Sequence, residues 1–141
     1  MTLTVADVMT TPVFSLSPDT TLHHAHSVTR EKGIRHLPIV DPKSDKLVGI
    51  VTQKSLIAKV FGLMATYGGA KLAEHEADTN IMEVALTDFD TVKASDDVKS
   101  VASFFLQNKH GCLPVVDEEH RVIGMLTSSD FVKLAIKLLA E

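Results

Sequence analysis

The segment TSSD at 127–130 is the part of this chain best suited to chemistry. Thr127 closes an apolar run and Asp130 opens a helical pattern, so the backbone amides between them stand at a helix N-terminus. Unsatisfied donors and the helix dipole favour an anion such as phosphate there. Ionised Asp130 only accepts hydrogen bonds, and it can take them from both hydroxyls of a ribose. The competing reading is that Asp130 does no more than stabilise the first turn of its helix. His23, His24 and His26 invite a metal reading, but on a helix only His23 and His26 share a face, and no Cys, Asp or Glu beside them completes a ligand spacing. We read a solvated helix face and expect no metal. The sequence contains no nucleophile elbow, Walker loop or HExxH pattern, and Asp96 and Asp97 suit a helix end, so no catalytic residues are expected.

These residues sit in a chain that repeats itself. LPIVD at 37–41 returns as LPVVD at 113–117, 76 positions later, and GIVTQKS at 49–55 returns as GMLTSSD at 124–130, 75 positions later. The copies therefore differ by one deleted residue in the turn between these segments. Two copies indicate an intramolecular pair rather than a solenoid, and two related clefts are natural ligand sites.

Each copy reads as short helix, strand, helix, strand, strand, helix. In the first, Val5–Met9 is a helical turn, and Val13, Phe14 and Leu16 mark an extended run. Asp19 is placed to cap a helix whose apolar stripe is Leu22, Ala25 and Val28, ending at Gly33. Two β-branched runs, Leu37–Val40 and Leu47–Val51, flank a turn-rich DPKSDK, and a closing helix spans about Lys54 to Met64. In the second copy Ser95 takes the place of Asp19, and Val98, Val101, Ala102 and Phe105 form an inward face. The strands are Leu113–Val116 and Val122–Leu126, and Phe131, Leu134, Ala135 and Leu138 line the final helix. The division is 1–66 for the first repeat, 67–79 for a linker with some helix around Ala70 to Glu76, and 80–141 for the second repeat.

Composition narrows the function. The chain has 141 residues, 45% of them hydrophobic, and no apolar run of membrane-spanning length or signal-peptide pattern, so a soluble cytoplasmic protein is expected. Residues 1–66 carry seven Lys or Arg against five Asp or Glu, and 67–141 carry seven against thirteen. With no basic stripe, one Tyr and no Trp, nucleic-acid binding is not expected. The single Cys112 suits a reducing compartment and reads as a small buried side chain.

The ordered set of DVM at 7–9, GIRHLPIVD at 33–41, LVGIVTQKS at 47–55, CLPVVD at 112–117 and VIGMLTSSD at 122–130 resembles the CBS domain pair, or Bateman module, over nearly the whole chain. The resemblance implies an α/β (α+β) fold of two β-α-β-β-α repeats packed about a pseudo-two-fold axis. It also implies a regulatory module that binds an adenosyl ligand such as AMP, ADP, ATP or S-adenosylmethionine in the cleft between the repeats, without catalysis or a required cofactor. Asp130 would take the ribose, with Thr127 and Ser128 in the same ligand-binding turn. Arg35 and His36, whose counterparts Gly111 and Cys112 carry no charge, would reach phosphate oxygens from the other repeat; the competing reading makes them solvated residues at the strand edge. Thr87 and Phe89, with Gly111, Cys112, Leu113 and Pro114, would form the adenine slot, although for an apolar residue beside a strand such as Phe89 the core is the commoner place. Ser55 replaces the aspartate in the first copy and lacks a charged bidentate acceptor. The site near Thr52 and Ser55 should therefore be weaker, modified or empty. Such modules often pair into dimers, and a separate protein target is compatible with the chain. The alternative is a ligand-independent dimerisation or assembly module.

Overall fold

The computed structural model describes residues 3–107 and 111–140. Its helices are α1 (Val5–Val8), α2 (Leu22–Lys32), α3 (Gln53–Tyr67), α4 (Leu72–Asp78), α5 (Val98–Phe105) and α6 (Ser128–Leu139), and its strands are β1 (His36–Val40), β2 (Leu47–Thr52), β3 (Cys112–Val116) and β4 (Val122–Thr127). Short 3-10 turns at Gly69–Lys71 and Ile81–Glu83 complete the order. The inter-repeat helix thus lies at Leu72–Asp78, and the first closing helix extends to Tyr67.

The chain divides into two compact units, a continuous one of residues 14–89 and a discontinuous one of residues 1–13 with 90–141. A sequence repeat and a compact unit are therefore different divisions of this chain. The cause lies in the opening segments. Val5 and Ala6 donate backbone hydrogen bonds to Asp96 O and Ala94 O, and Thr10 exchanges a pair with Met125, which fastens the first residues onto the second repeat. In the continuous unit Leu86 exchanges the same pair with Ile50, and Ile81 N donates to Thr20 O.

Each unit is built on one antiparallel hairpin. β1 pairs with β2 from His36 opposite Thr52 to Val40 opposite Leu47, and β3 pairs with β4 from Cys112 opposite Thr127 to Val116 opposite Val122. Both hairpins bulge before their last pair. The extended runs expected before α2 and α5 are reduced to single parallel bridges, Leu16 with Ile39 and Val92 with Val115. These edge positions pair at one residue only, which is too little for a strand.

The helix caps also differ from expectation. Thr21, not Asp19, caps α2, its hydroxyl accepting from His24 N, while Asp19 accepts from Ser17. Asp97, not Ser95, caps α5, accepting from Lys99 N. The capping residue must directly precede the first helical residue, and a Thr or Asp stands nearer that point than the candidate chosen from sequence. Gly33 ends α2 at φ +65°, a conformation that costs a side chain energy.

Leu16, Leu22, Ala25, Val28, Leu37, Ile39, Val51, Leu56 and Ile81 form the core of the continuous unit. Val5, Val92, Val101, Leu113, Val115 and Leu126 form that of the discontinuous unit. Each fully buried leucine or valine contributes about 1.5–3 kcal/mol of transfer free energy. On α6 the inward positions are Asp130, Phe131 and Leu134; Ala135 and Leu138, expected inside, are exposed because the helix meets its unit along a narrower stripe.

Candidate functional site

The turn from β4 into α6 fixes Asp130. Thr127 has extended backbone, φ −129° and ψ 170°, so the chain enters the helix directly from the strand. Asp130 Oδ2 accepts from Thr127 N at 2.8 Å and lies 3.4 Å from the Thr127 hydroxyl. Asp130 Oδ1 accepts from the Thr10 hydroxyl at 2.6 Å. The residue is 4% exposed, yet it lines an open cavity of about 470 Å³ together with Leu3, Asp7, Val8, Lys133, Leu134 and Lys137. A carboxylate offers about four lone-pair directions. The protein's own donors occupy most of them, so a ribose diol would use the remaining direction on Oδ1 or replace the Thr10 hydroxyl. Asp130 therefore does stabilise the first turn of its helix, and it also borders a cavity.

Met9 of the DVM segment lies over Gly124 of VIGMLT; a Cβ at Gly124 would stand 2.5 Å from Met9 Sδ. That packing connects two motifs 115 positions apart, next to Thr10, whose backbone pairs with Met125 and whose hydroxyl donates to Asp130. Thr10 is a functional candidate missed in the sequence, as are Lys133 and Lys137. Their signal was helical spacing, three and seven residues after Asp130.

At the corresponding turn of the continuous unit, Ser55 Oγ accepts from Thr52 N at 3.3 Å and donates to Thr52 O at 2.9 Å, while Thr52 Oγ1 accepts from Ser55 N at 3.1 Å. Thr52 is buried. Arg35 is exposed and its carbonyl accepts from Gln53 N, and His36 begins β1 opposite Thr52, so both belong to the continuous unit, as do Thr87 and Phe89. Thr87 is exposed and Phe89 partly buried. Gly111, at φ +70°, precedes Cys112, Leu113 and Pro114, which are buried in β3 of the discontinuous unit. Ser128 is exposed at the start of α6. The structure thus brings Thr127, Ser128, Asp130 and the β3 segment into one unit, and Arg35, His36, Thr52, Ser55, Thr87 and Phe89 into the other.

Burial pushes the Cys112 thiol up to about 12, which keeps it protonated and unreactive. Of the three α2 histidines, His23 and His24 are exposed, but His26 Nδ1 lies 2.9 Å from Glu76 Oε1 on α4, an ion-pair geometry the sequence did not suggest. Among the described residues no cluster of His, Cys, Asp and Glu could hold a metal, and no helix is long and apolar enough to cross a membrane.

The CBS domain family model matches residues 5–62 and 81–137, and the chain belongs to that family. It is similar to a Vibrio cholerae protein assigned to acetoin utilization (AcuB), at 34% identity and TM-score 0.80 over 99% of this chain and 95% of that one. It is also similar to CBSX2 of Arabidopsis thaliana, solved in complex with AMP, at 27% identity and TM-score 0.79 over 96% and 98% of the two chains. A third relative is the CBS domain pair of protein MJ0100, solved with 5'-methylthioadenosine and S-adenosyl-L-methionine, at 26% identity and TM-score 0.78 over 97% and 98%. The chain spans 46%, 21% and 24% of the length of the first curated relatives it matches.

Proposed function

We propose that this chain is a regulatory sensor that binds an adenosyl compound through Asp130 and changes its assembly or partner affinity without turnover. The observation that carries the reading is a 96% buried carboxylate that nevertheless borders an open cavity. The AMP, methylthioadenosine and S-adenosylmethionine present in related structures support the ligand class. In this proposal Asp130 takes the ribose, Thr127 and Ser128 shape the helix start, and the set near Thr52 and Ser55 is weaker. Gly111 and the β3 segment, with Thr87 and Phe89, remain the candidates for the adenine. Regulation requires that the ligand bind two conformations unequally, so affinity alone does not establish it.

Isothermal titration of AMP, ATP and S-adenosylmethionine into the full chain tests the reading. Binding of about one ligand per chain is expected; absence of binding by nucleotide-free, folded protein overturns it. A ligand present at 100 times its dissociation constant should also stabilise the fold by about 2.7 kcal/mol.

An assembly role is favoured by a second observation. Ile57, Phe61 and Met64 on α3 are 43%, 63% and 42% exposed, and Val132, Ile136 and Leu139 at the equivalent positions of α6 are 58%, 63% and 86% exposed. Two apolar stripes at matched positions suit a second copy of this chain. Sedimentation of Phe61→Lys and Ile136→Lys variants should then show monomers where the parent protein is dimeric.

A further inference from the structure

We infer that the cavity beside Asp130 selects adenosyl ligands with a di- or triphosphate tail, through Lys133 and Lys137. This inference rests on the proposed role of Asp130 and adds the discrimination among ligands that the family resemblance leaves open. Both lysines line the same cavity as Asp130, and both lie on its face of α6. At a rise of about 1.5 Å per residue they stand ~4.5 and ~10.5 Å along the axis from Asp130. A ribose held at Asp130 and a tail running along α6 would therefore meet one ammonium near its first phosphates and the second near its last. Lysine stems lie along apolar surface while their heads stay in solvent, and Leu134 and Val8 supply that surface here.

The charges agree with this assignment. The ion pairs among the described residues are His26 with Glu76, Lys93 with Glu118, and Arg121 with Asp117 and Glu119; neither Lys133 nor Lys137 is in one. Asp7, the other carboxylate lining the cavity, accepts from Thr4 N and the Thr4 hydroxyl at 2.9 and 3.1 Å. The two carboxylates are thus engaged by backbone and hydroxyl donors, while the two cations that line the cavity have no charged partner among the described residues. The first repeat provides an internal contrast. Seventy-five positions earlier, Asp130, Lys133 and Lys137 are replaced by Ser55, Ala58 and Gly62. The ribose acceptor and both cations are lost together, as expected if they serve one ligand. A monophosphate or a methylthioadenosine would leave Lys137 unused.

Titrations of ATP, ADP, AMP and 5'-methylthioadenosine into the full chain, Lys133→Gln/Lys137→Gln, Asp130→Asn and Arg35→Gln test this. ATP and ADP should bind the parent more tightly than AMP. The double lysine variant should reduce that preference by about tenfold while leaving methylthioadenosine affinity unchanged, and added salt should weaken ATP binding in the parent more than in the variant. Equal affinity of the parent for AMP and ATP overturns the inference. So does a preference that survives in the double variant, or one that only Arg35→Gln removes. In these cases loss of every ligand in Asp130→Asn would leave the sensor reading standing. Unchanged affinities in Asp130→Asn, or no binding to the parent, would remove that reading as well.

Discussion

The turns that open α6 and α3 perform the same backbone task with different chemistry. At each, the third helical residue accepts a hydrogen bond from the threonine N–H that precedes the helix: Asp130 from Thr127 and Ser55 from Thr52. Ser55 shows that a hydroxyl suffices for the cap. The charge of Asp130 and its second oxygen therefore exceed what the helix requires, and that second oxygen meets the Thr10 hydroxyl. At the place of Thr10 the continuous unit has Leu86, joined to Ile50 by the same backbone pair that joins Thr10 to Met125. Thr10 with Asp130, a polar pair, and Leu86 with Ser55 are alternative residue choices at the same places of one local fold. Only the polar one sets a charged acceptor beside a cavity with two cations. Within this molecule the hairpin and cap belong to the fold, and the surplus at Asp130 is what the proposed function uses.

Exchanging one solution for the other breaks this comparison most directly. Asp130→Ser should keep the cap, as Ser55 does, but lower affinity for an adenosyl ligand by about 100-fold, since a charged acceptor of two hydrogen bonds is lost. It should also cost about 1–2 kcal/mol of stability, because the Thr10 hydroxyl loses its acceptor. Adding Thr10→Leu should restore part of the stability and none of the binding. Urea unfolding and calorimetric titration read the two effects separately. Retained affinity in Asp130→Ser would mean that the carboxylate is there for the helix alone.

A contact present in only one unit sharpens the contrast. His26 on α2 pairs with Glu76 on α4, whose side chains are 35% and 8% exposed, and the position equivalent to His26 is Ala102. His26→Ala should destabilise by about 2 kcal/mol because a buried carboxylate loses its partner. Glu76→Ala should cost less, since the half-exposed imidazole left behind can turn to water. Equal losses in urea unfolding would show that the packing of the side chains matters rather than the buried charge.

How far the sequence revealed these features follows from the range of the interactions. The repeat, both hairpins and the closing helices were legible because their signals are local: β-branched runs separated by turn residues, then apolar residues at helical spacing. Asp130 was legible from the same stretch, by its place at the start of a helix. Its engagement by Thr10 was not, because the two residues stand 120 positions apart and the opening segment packs with the second repeat rather than the first. His26 with Glu76 is another long-range pair, and alone each reads as a surface residue. The caps at Thr21 and Asp97 were missed for a different reason: several Ser, Thr and Asp residues crowd each helix start, and composition cannot tell which one directly precedes the helix.

The smallest expected difference lies in the hairpin turns, where the repeats differ by one residue. Asp117 N donates to Arg121 O in the second turn, as Asp41 N does to Lys46 O in the first. The Arg121 backbone N–H holds the Asp117 carboxyl below its ordinary 3.8, aided by Glu119 N–H and the Arg121 guanidinium. A carboxyl whose folded-state value is lowered stabilises the fold at pH above its unfolded value, and loses that contribution as the pH falls through the folded value. Asp117→Asn should therefore be slightly less stable than the parent at pH 7, with the gap closing as the pH drops below about 3.8. Thermal unfolding across that range measures it. A gap that persists in acid would assign the role of Asp117 to turn geometry, which asparagine supports nearly as well, rather than to its charge.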